Sequence, residues 1–345
     1  MPAGRGGSRS PARGKKRLEV WKFGGAALAD ADAVRNALEL IAEHRGPLVV
    51  VVSALSGVTD SLLDGARDAL EGDTRAADEA TRAFIRRHHD IARALIPRGP
   101  AREKMDSLAE DLAREYQEIT HAVARLGDMS PRANDLLVAR GERASSALIA
   151  AALTAMGRRA ERVDALELVV TDGRHGHATP DIPATQRKSR PHLQKLFRRG
   201  VTPEVPGFFG IGPDGTLATL GRGGTDLTAT LMARALGAAR VVLWKDVAGM
   251  MTADPRSVRD ARLLPQMHHR EAAEVAYFGA KVLHPRALIP LDGSRVALQV
   301  RSFQKQDDPG TEVSSRRTLE AYPVKALATI RAQALVTVAG KGLMG

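Results

Sequence analysis

Apolar and polar positions alternate through residues 18–23, Leu-Glu-Val-Trp-Lys-Phe, which is the period of a strand, and Gly24-Gly25 ends it in a flexible turn. A helix is expected from about Asp30 to His44. Residues 48–52 then form an unbroken Leu-Val-Val-Val-Val run, suited to a parallel strand buried on both faces. A second small-residue loop, residues 53–59, leads into a helix beginning near Asp60. Two consecutive strand-loop-helix units put both loops on one edge of a parallel sheet, the edge where open α/β sheets bind ligands.

From Asp60 to Leu126 the pattern is helical and charged, with few β-formers, and predicts two or three long helices forming a lobe beside the sheet. His88 and His89 point to different helix faces, which argues against a shared metal and for solvated side chains. A long apolar helix over residues 135–156 is interrupted at Arg140-Gly-Glu-Arg-Ala-Ser-Ser146. Glu142 therefore sits inside an Ala/Leu-rich helix, where an ionised carboxylate needs a partner: Arg140, Arg143 or the cationic group of a ligand. Further strands are expected at residues 166–171, 201–210, 240–244 and 296–301, and further helices at 186–198, 225–236 and 271–278. Pro213-Asp-Gly215 reads as a hairpin turn. Residues 324–330 and 334–338 are strand candidates with no helix to pack on, so alone they cannot bury a core.

The length, 345 residues, suits one large α/β domain or two unequal ones. Aromatic residues make up 3%, so the core must be built from Ala, Leu and Val. Cysteine is absent, which removes disulfides, thiolate metal sites and cysteine nucleophiles and fits a reducing cytoplasm. No apolar run is long enough to span a bilayer, and no apolar signal core is present. The net charge of +11 suggests nucleic acid, but residues 1–17 alone carry +6. That Gly/Ser/Pro-rich tail is expected to be disordered, leaving a mildly basic body with no specific nucleic-acid signal.

The stretch Thr219-Leu-Gly-Arg-Gly-Gly-Thr-Asp-Leu-Thr228 carries the clearest chemistry. Gly221, Gly223 and Gly224 let the backbone approach an anion, and the following helix N-terminus adds unpaired donors. Arg222 offers a fork for a carboxylate, Thr225 can cap the helix, and Asp226 can orient a cation. A tight turn with a surface Arg would look the same taken alone. Lys22, at a strand end before two glycines and a helix, is placed to meet a phosphate or simply to be solvated.

Six motifs in order decide between these readings: Lys22-Phe-Gly-Gly25, Val52-Ser-Ala-Leu-Ser-Gly-Val-Thr59, Gly141-Glu-Arg143, Gly221-Arg-Gly-Gly-Thr-Asp226, Asp254-Pro-Arg256 and Phe278-Gly-Ala-Lys-Val-Leu-His-Pro285. Together they resemble the aspartate kinases of the amino-acid kinase superfamily over residues 18–314. The resemblance implies a three-layer α/β/α sandwich with a mainly parallel central sheet and a helical lobe. It implies ATP-dependent phosphorylation of the L-aspartate side-chain carboxylate, the first step of lysine, threonine and methionine biosynthesis, with Mg2+ arriving on ATP in a cytoplasmic homo-oligomer. Lys22 and Lys281 would hold the transferring phosphoryl group, with Asp226 orienting Lys22. Arg222 would bind the substrate α-carboxylate and Glu142 its ammonium, while Ser53, Thr59, Gly223, Gly224 and Thr225 complete the aspartate site. Phe23, Gly24, Gly25, Lys245, Asp246, Met251, Arg256 and Val282 fall where the family holds nucleotide. Residues 18–318 would be the kinase domain, and residues 324–345 resemble the opening of an ACT regulatory domain, cut short.

Two departures from the family pattern stand out. Ala26-Ala27 replaces a usual Thr-Ser pair, and Lys245 replaces a common Thr. A sister kinase acting on glutamate, acetylglutamate, carbamate or a nucleotide is the enzymatic alternative; a catalytically impaired sensing subunit is the non-enzymatic one.

Overall fold

A computed structural model describes residues 17–279, 282–316, 324–330 and 334. The first strand, β1, is Glu19–Phe23. A short 3-10 turn over Gly25–Leu28 leads to α1, Ala31–Glu43, whose N-cap Asp30 accepts from the backbone of Asp32 and Ala33. The second strand, β2, is Leu48–Val52 and is buried throughout. Three helices then form the lobe: α2 (Val58–Leu70), α3 (Thr74–Leu95) and α4 (Pro100–Leu126). The apolar stretch expected over residues 135–156 is two helices, α5 (Pro131–Val138) and α6 (Arg140–Ala155), which meet at Ala139.

The second half adds β3 (Ala160–Arg162), α7 (Ile182–Arg198), β4 (Thr202–Pro206), the hairpin β5 (Phe209–Ile211) and β6 (Leu217–Thr219), and α8 (Gly224–Leu236). It closes with β7 (Arg240–Lys245), β8 (Gln266–His268), α9 (His269–Tyr277), β9 (Ala297–Ser302) and β10 (Thr311–Ser314). The main sheet has eight strands in the order β3-β4-β2-β1-β7-β9-β10-β8. Its pairings are parallel except β9 with β10.

Alternation along the strands sorts side chains between two cores. Trp21, Phe23, Val50, Val52 and Trp244 join α1 and the helical lobe, whereas Val20, Val49, Val51, Val241 and Leu243 pack with α7 and α8. Each buried Val or Leu contributes about 1.5–3 kcal/mol, so five such residues in β2 anchor the centre of the sheet. The result is three layers with a helical lobe. The same alternation turns Lys22 toward the layer that contains α8.

Three expectations need correction. Residues 166–171 are not a strand: Ala165–Glu167 is a 3-10 turn, and Val170 and Thr171 make only isolated bridges. The edge strand β3 lies instead at Ala-Glu-Arg, which has no β-branched residue to betray it. His88 is not solvated; it is buried against Phe84, with Nδ1 2.7 Å from the Phe84 carbonyl, and burial lowers its pKa to about 4. Residues 324–330 form no strand. They run along the protein as a strap, with the Leu327 N–H donating to the Thr252 carbonyl and Lys325 Nζ 2.7 Å from Glu271. The second ACT strand candidate, 334–338, and the tail 1–16 lie outside the described residues, apart from residue 334.

Candidate active site

The carboxyl-terminal ends of β1, β2, β4 and β7 lie side by side, because Phe23 is in register with Val52 and Trp244, and Val52 with Pro206. Lys22 therefore stands one residue below this edge. It is buried, and its Nζ lies 2.8 Å from Asp226 Oδ1 in the first turn of α8. Lys245, the last residue of β7, donates from Nζ to Asp226 Oδ2 at 2.7 Å. One carboxylate thus divides its two oxygens between two lysines. Burial alone would raise the Asp226 pKa, but Lys22 and Lys245 outweigh it and hold the carboxyl well below the usual range. Burial, reinforced by Lys245, depresses the Lys22 pKa, while Asp226 opposes that shift. Two cations against one anion leave the edge positive, as an anionic ligand requires.

The loop that carries Asp226 is shaped by glycines. Gly221 and Gly223 have φ of +72° and +74°, a region that favours glycine, and a Cβ on Gly223 would meet the His284 ring. Gly223 is the N-cap of α8, with no side-chain cap. Thr225 is therefore not the cap expected for this helix; it sits in the first turn against Gly207, where a Cβ would approach it at 2.4 Å. An uncapped N-terminus leaves N–H groups of the first turn free to receive an anion. Phe208, the one non-glycine residue with positive φ among those described, lies over Gly224 and is fastened by its N–H to Thr228 Oγ1 at 3.0 Å. Arg222, at the tip of the loop, is exposed and has no carboxylate partner among the described residues.

Glu142 approaches the same edge from α6. Its expected partners are engaged elsewhere: Arg140 with the Leu112 and Leu136 carbonyls and Glu115, Arg143 with Asp164. The carboxyl is buried, its Oε2 has no hydrogen-bond partner, and burial raises its pKa to about 7 despite a backbone hydrogen bond from Ala54 and the charge of Lys22. Gly141 makes this approach possible, since a Cβ there would stand 2.5 Å from that of Ala54. Ser53, just past β2, is tied to α6 by Ser145 Oγ, which donates to its carbonyl at 2.6 Å. Thr59 lies half-buried in the first turn of α2.

Gly24 and Gly25 form the turn beyond Phe23, and a Cβ on Gly24 would lie 3.0 Å from Lys22 Nζ. A side chain there would press on the Lys22 ammonium. Asp246 follows Lys245 and is exposed; Met251 bridges to Leu263; Arg256 is exposed and paired with Asp254. Val282 is half-buried, and Lys281 lies outside the described residues. Sequence reasoning missed the Lys245–Asp226 pair, Phe208, and Arg286, whose guanidinium reaches the carbonyls of Leu220 and Ala178 beneath the glycine turn. A cavity of about 660 Å3 is lined by Glu19, Arg240 and Ala297 from the opposite ends of β1, β7 and β9, so it is remote from this chemistry.

A parallel sheet with glycine turns, an uncapped helix N-terminus and two lysines at one edge suits a phosphorylated ligand, as a phosphoryl-transfer enzyme requires. The chain belongs to the amino acid kinase family, which it matches over residues 17–302. Relatives within that family include aspartokinases. The chain is 34% identical to lysine-sensitive aspartokinase 3 of Escherichia coli over 93% of this chain and 69% of that protein. It is 30% identical to the chloroplastic aspartokinase 1 of Arabidopsis thaliana over 94% of this chain, which spans only 57% of that protein. The crystal structure of E. coli aspartokinase III in complex with aspartate and ADP superposes with a TM-score of 0.81 at 34% identity, covering 90% of this chain and 67% of that one.

Proposed function

We propose that the chain is an aspartate kinase that transfers the γ-phosphoryl group of ATP to the side-chain carboxylate of L-aspartate, yielding 4-phospho-L-aspartate and ADP for lysine, threonine and methionine synthesis. The observation that carries the substrate is Glu142. A buried carboxyl with an unpartnered oxygen, beside a positively charged edge, fits the ammonium of an α-amino acid. Arg222 supplies the fork for the α-carboxylate, and Ser53, Thr59, Gly223, Gly224 and Thr225 complete the pocket.

The chemistry asks little of the protein beyond placement and charge. An aspartate side chain with a pKa of about 4 is already ionised at neutral pH. Its oxygen attacks the γ-phosphorus in line, the bond to the β–γ bridging oxygen breaks, and the electron pair leaves on ADP. No proton moves, so no general base is needed. Lys22, held by Asp226, neutralises the charge on the transferring group, and Lys281 is assigned the same task from its motif alone. Phe23, Gly24, Gly25, Lys245, Asp246, Met251, Arg256 and Val282 are assigned to the nucleotide. Among the described residues no three His, Asp or Glu side chains are grouped to hold a metal. Asp226 is also engaged by two lysines, so Mg2+ is expected on phosphate oxygens and water.

We assign residues 18–318 to the catalytic domain and residues 324–345 to the start of an ACT domain, and we expect a cytoplasmic homo-oligomer, in keeping with a chain free of cysteine. The test is ATP-dependent acyl-phosphate formation trapped as a hydroxamate, with L-aspartate, L-glutamate and N-acetylglutamate compared. Turnover of aspartate alone, lost in Lys22→Ala, supports the assignment; preference for another acceptor moves the chain to a sister activity. Absence of turnover with ATP still bound would favour a sensing subunit, with Ala26-Ala27 as its cause.

A further inference from the structure

Two buried carboxylates have no part in this scheme, Glu204 and Asp135. They differ in one respect. Both oxygens of Glu204 are without hydrogen bonds, whereas those of Asp135 are saturated. Asp135, in α5, receives the N–H of Gly176 at 3.1 Å, the N–H of Thr219 at 3.1 Å and the Thr219 hydroxyl, and its Oδ2 lies 2.8 Å from His175 Nδ1. A carboxylate only accepts, and every partner here has a hydrogen to give.

These contacts converge on the base of the Arg222 turn. Thr219 is three residues before Arg222. The loop that Asp135 holds, residues 175–178, forms the floor under Gly221: a Cβ there would stand 2.8 Å from the Gly176 carbonyl and 2.9 Å from His177 Nδ1. The Ala178 N–H donates to the Thr219 carbonyl at 2.9 Å, and Arg286 bridges the Leu220 and Ala178 carbonyls. Arg222 itself is exposed, so its aim depends on this support.

We propose that Asp135 is a positioning residue for substrate recognition, clamping Thr219 to the 175–178 loop so that the glycine turn presents Arg222 to the substrate's α-carboxylate. The inference rests on the aspartate-kinase reading for the identity of that carboxylate. Asp135→Asn keeps the shape but leaves one acceptor, and its amide hydrogens face other donors.

The test is a double-mutant cycle of Asp135→Asn and Arg222→Ala in the full chain, with Thr219→Val as a milder variant, alongside amide hydrogen exchange over residues 219–224. The acceptor is whichever compound the wild type turns over. Asp135→Asn is expected to raise the acceptor KM about 10- to 100-fold with the ATP KM changed less than about twofold, and to add less than about threefold once Arg222 is gone. Thr219→Val should show the same pattern more weakly, and exchange over 219–224 should quicken in both. Acceptor and ATP KM rising together, full additivity with Arg222→Ala, or unchanged exchange would overturn the proposal. A wild type that turns over only acceptors without an α-carboxylate overturns the substrate reading and with it the role of the clamp. Unchanged exchange beside normal aspartate turnover overturns the clamp alone.

Discussion

With Glu142 as the proposed site of the substrate ammonium, aspartate affinity should depend on pH in a window where aspartate itself does not titrate. The Glu142 carboxyl is buried, with a pKa raised to about 7 by burial, and one oxygen is unpartnered. Only the ionised form pairs with the substrate ammonium, so binding expels a proton when the free site holds one. The ionised fraction is about one in ten at pH 6 and nine in ten at pH 8, and apparent affinity scales with that fraction. The aspartate KM should therefore fall about tenfold from pH 6 to pH 8 and level off above. Terminal phosphates also titrate near about pH 6, so Glu142→Gln supplies the baseline. In that variant the aspartate KM should be raised by about 10- to 100-fold at pH 8, the loss of one charged hydrogen bond, and should no longer vary with the Glu142 titration. The assay is initial-rate ADP release at saturating ATP across pH 6 to 8.5. A flat wild-type KM, or the same slope in Glu142→Gln, would refute the reasoning.

Three further outcomes are expected. Lys245→Thr removes one of the two cations on Asp226 and should raise the ATP KM about 5- to 20-fold in steady-state kinetics; an unchanged value would leave Lys245 only balancing Asp226. Arg222→Lys keeps the charge but loses the fork, so the aspartate KM should rise about tenfold with the ATP KM unmoved. Glu204 is buried without hydrogen bonds, and burial raises its pKa well above the ordinary value, so the folded protein keeps a proton that the unfolded chain releases. Wild-type stability should then fall as pH rises above about 4.5. Glu204→Gln should remove that part of the loss, seen as a higher urea midpoint than wild type at pH 8.5 and little difference at pH 5.

Much of the site was legible because its parts lie at strand ends. The alternation in residues 18–23 and the run at 48–52 predict β1 and β2, and with them the edge that holds Lys22 and Ser53. The glycines before Asp226 mark the turn and α8 directly. What escaped depends on contacts between residues distant in sequence. Lys245 meets Asp226 only because β7 pairs beside β1, and Asp135 meets Thr219 across 84 residues. Asp135 reads in sequence as one more polar helix residue, and its burial follows from the 175–178 loop folding over it. Local pattern also misled where it was strongest. The apolar residues 166–170 look like a strand but pack as a 3-10 turn and a loop under β5, and His88 is buried beside Phe84 in a helix that packs against both α2 and α4.

The central claim is that a carboxylate oxygen of aspartate attacks the γ-phosphorus of ATP, and isotope transfer tests it most directly. L-Aspartate labelled with 18O in the side-chain carboxylate is turned over with ATP, and the product is cleaved by hydroxylamine at its carbonyl carbon. The released phosphate should carry one 18O atom, and aspartate labelled only in the α-carboxylate should give none. Phosphate without label from either substrate would mean that water is the acceptor, and label from the α-carboxylate would mean that the substrate is held the other way round.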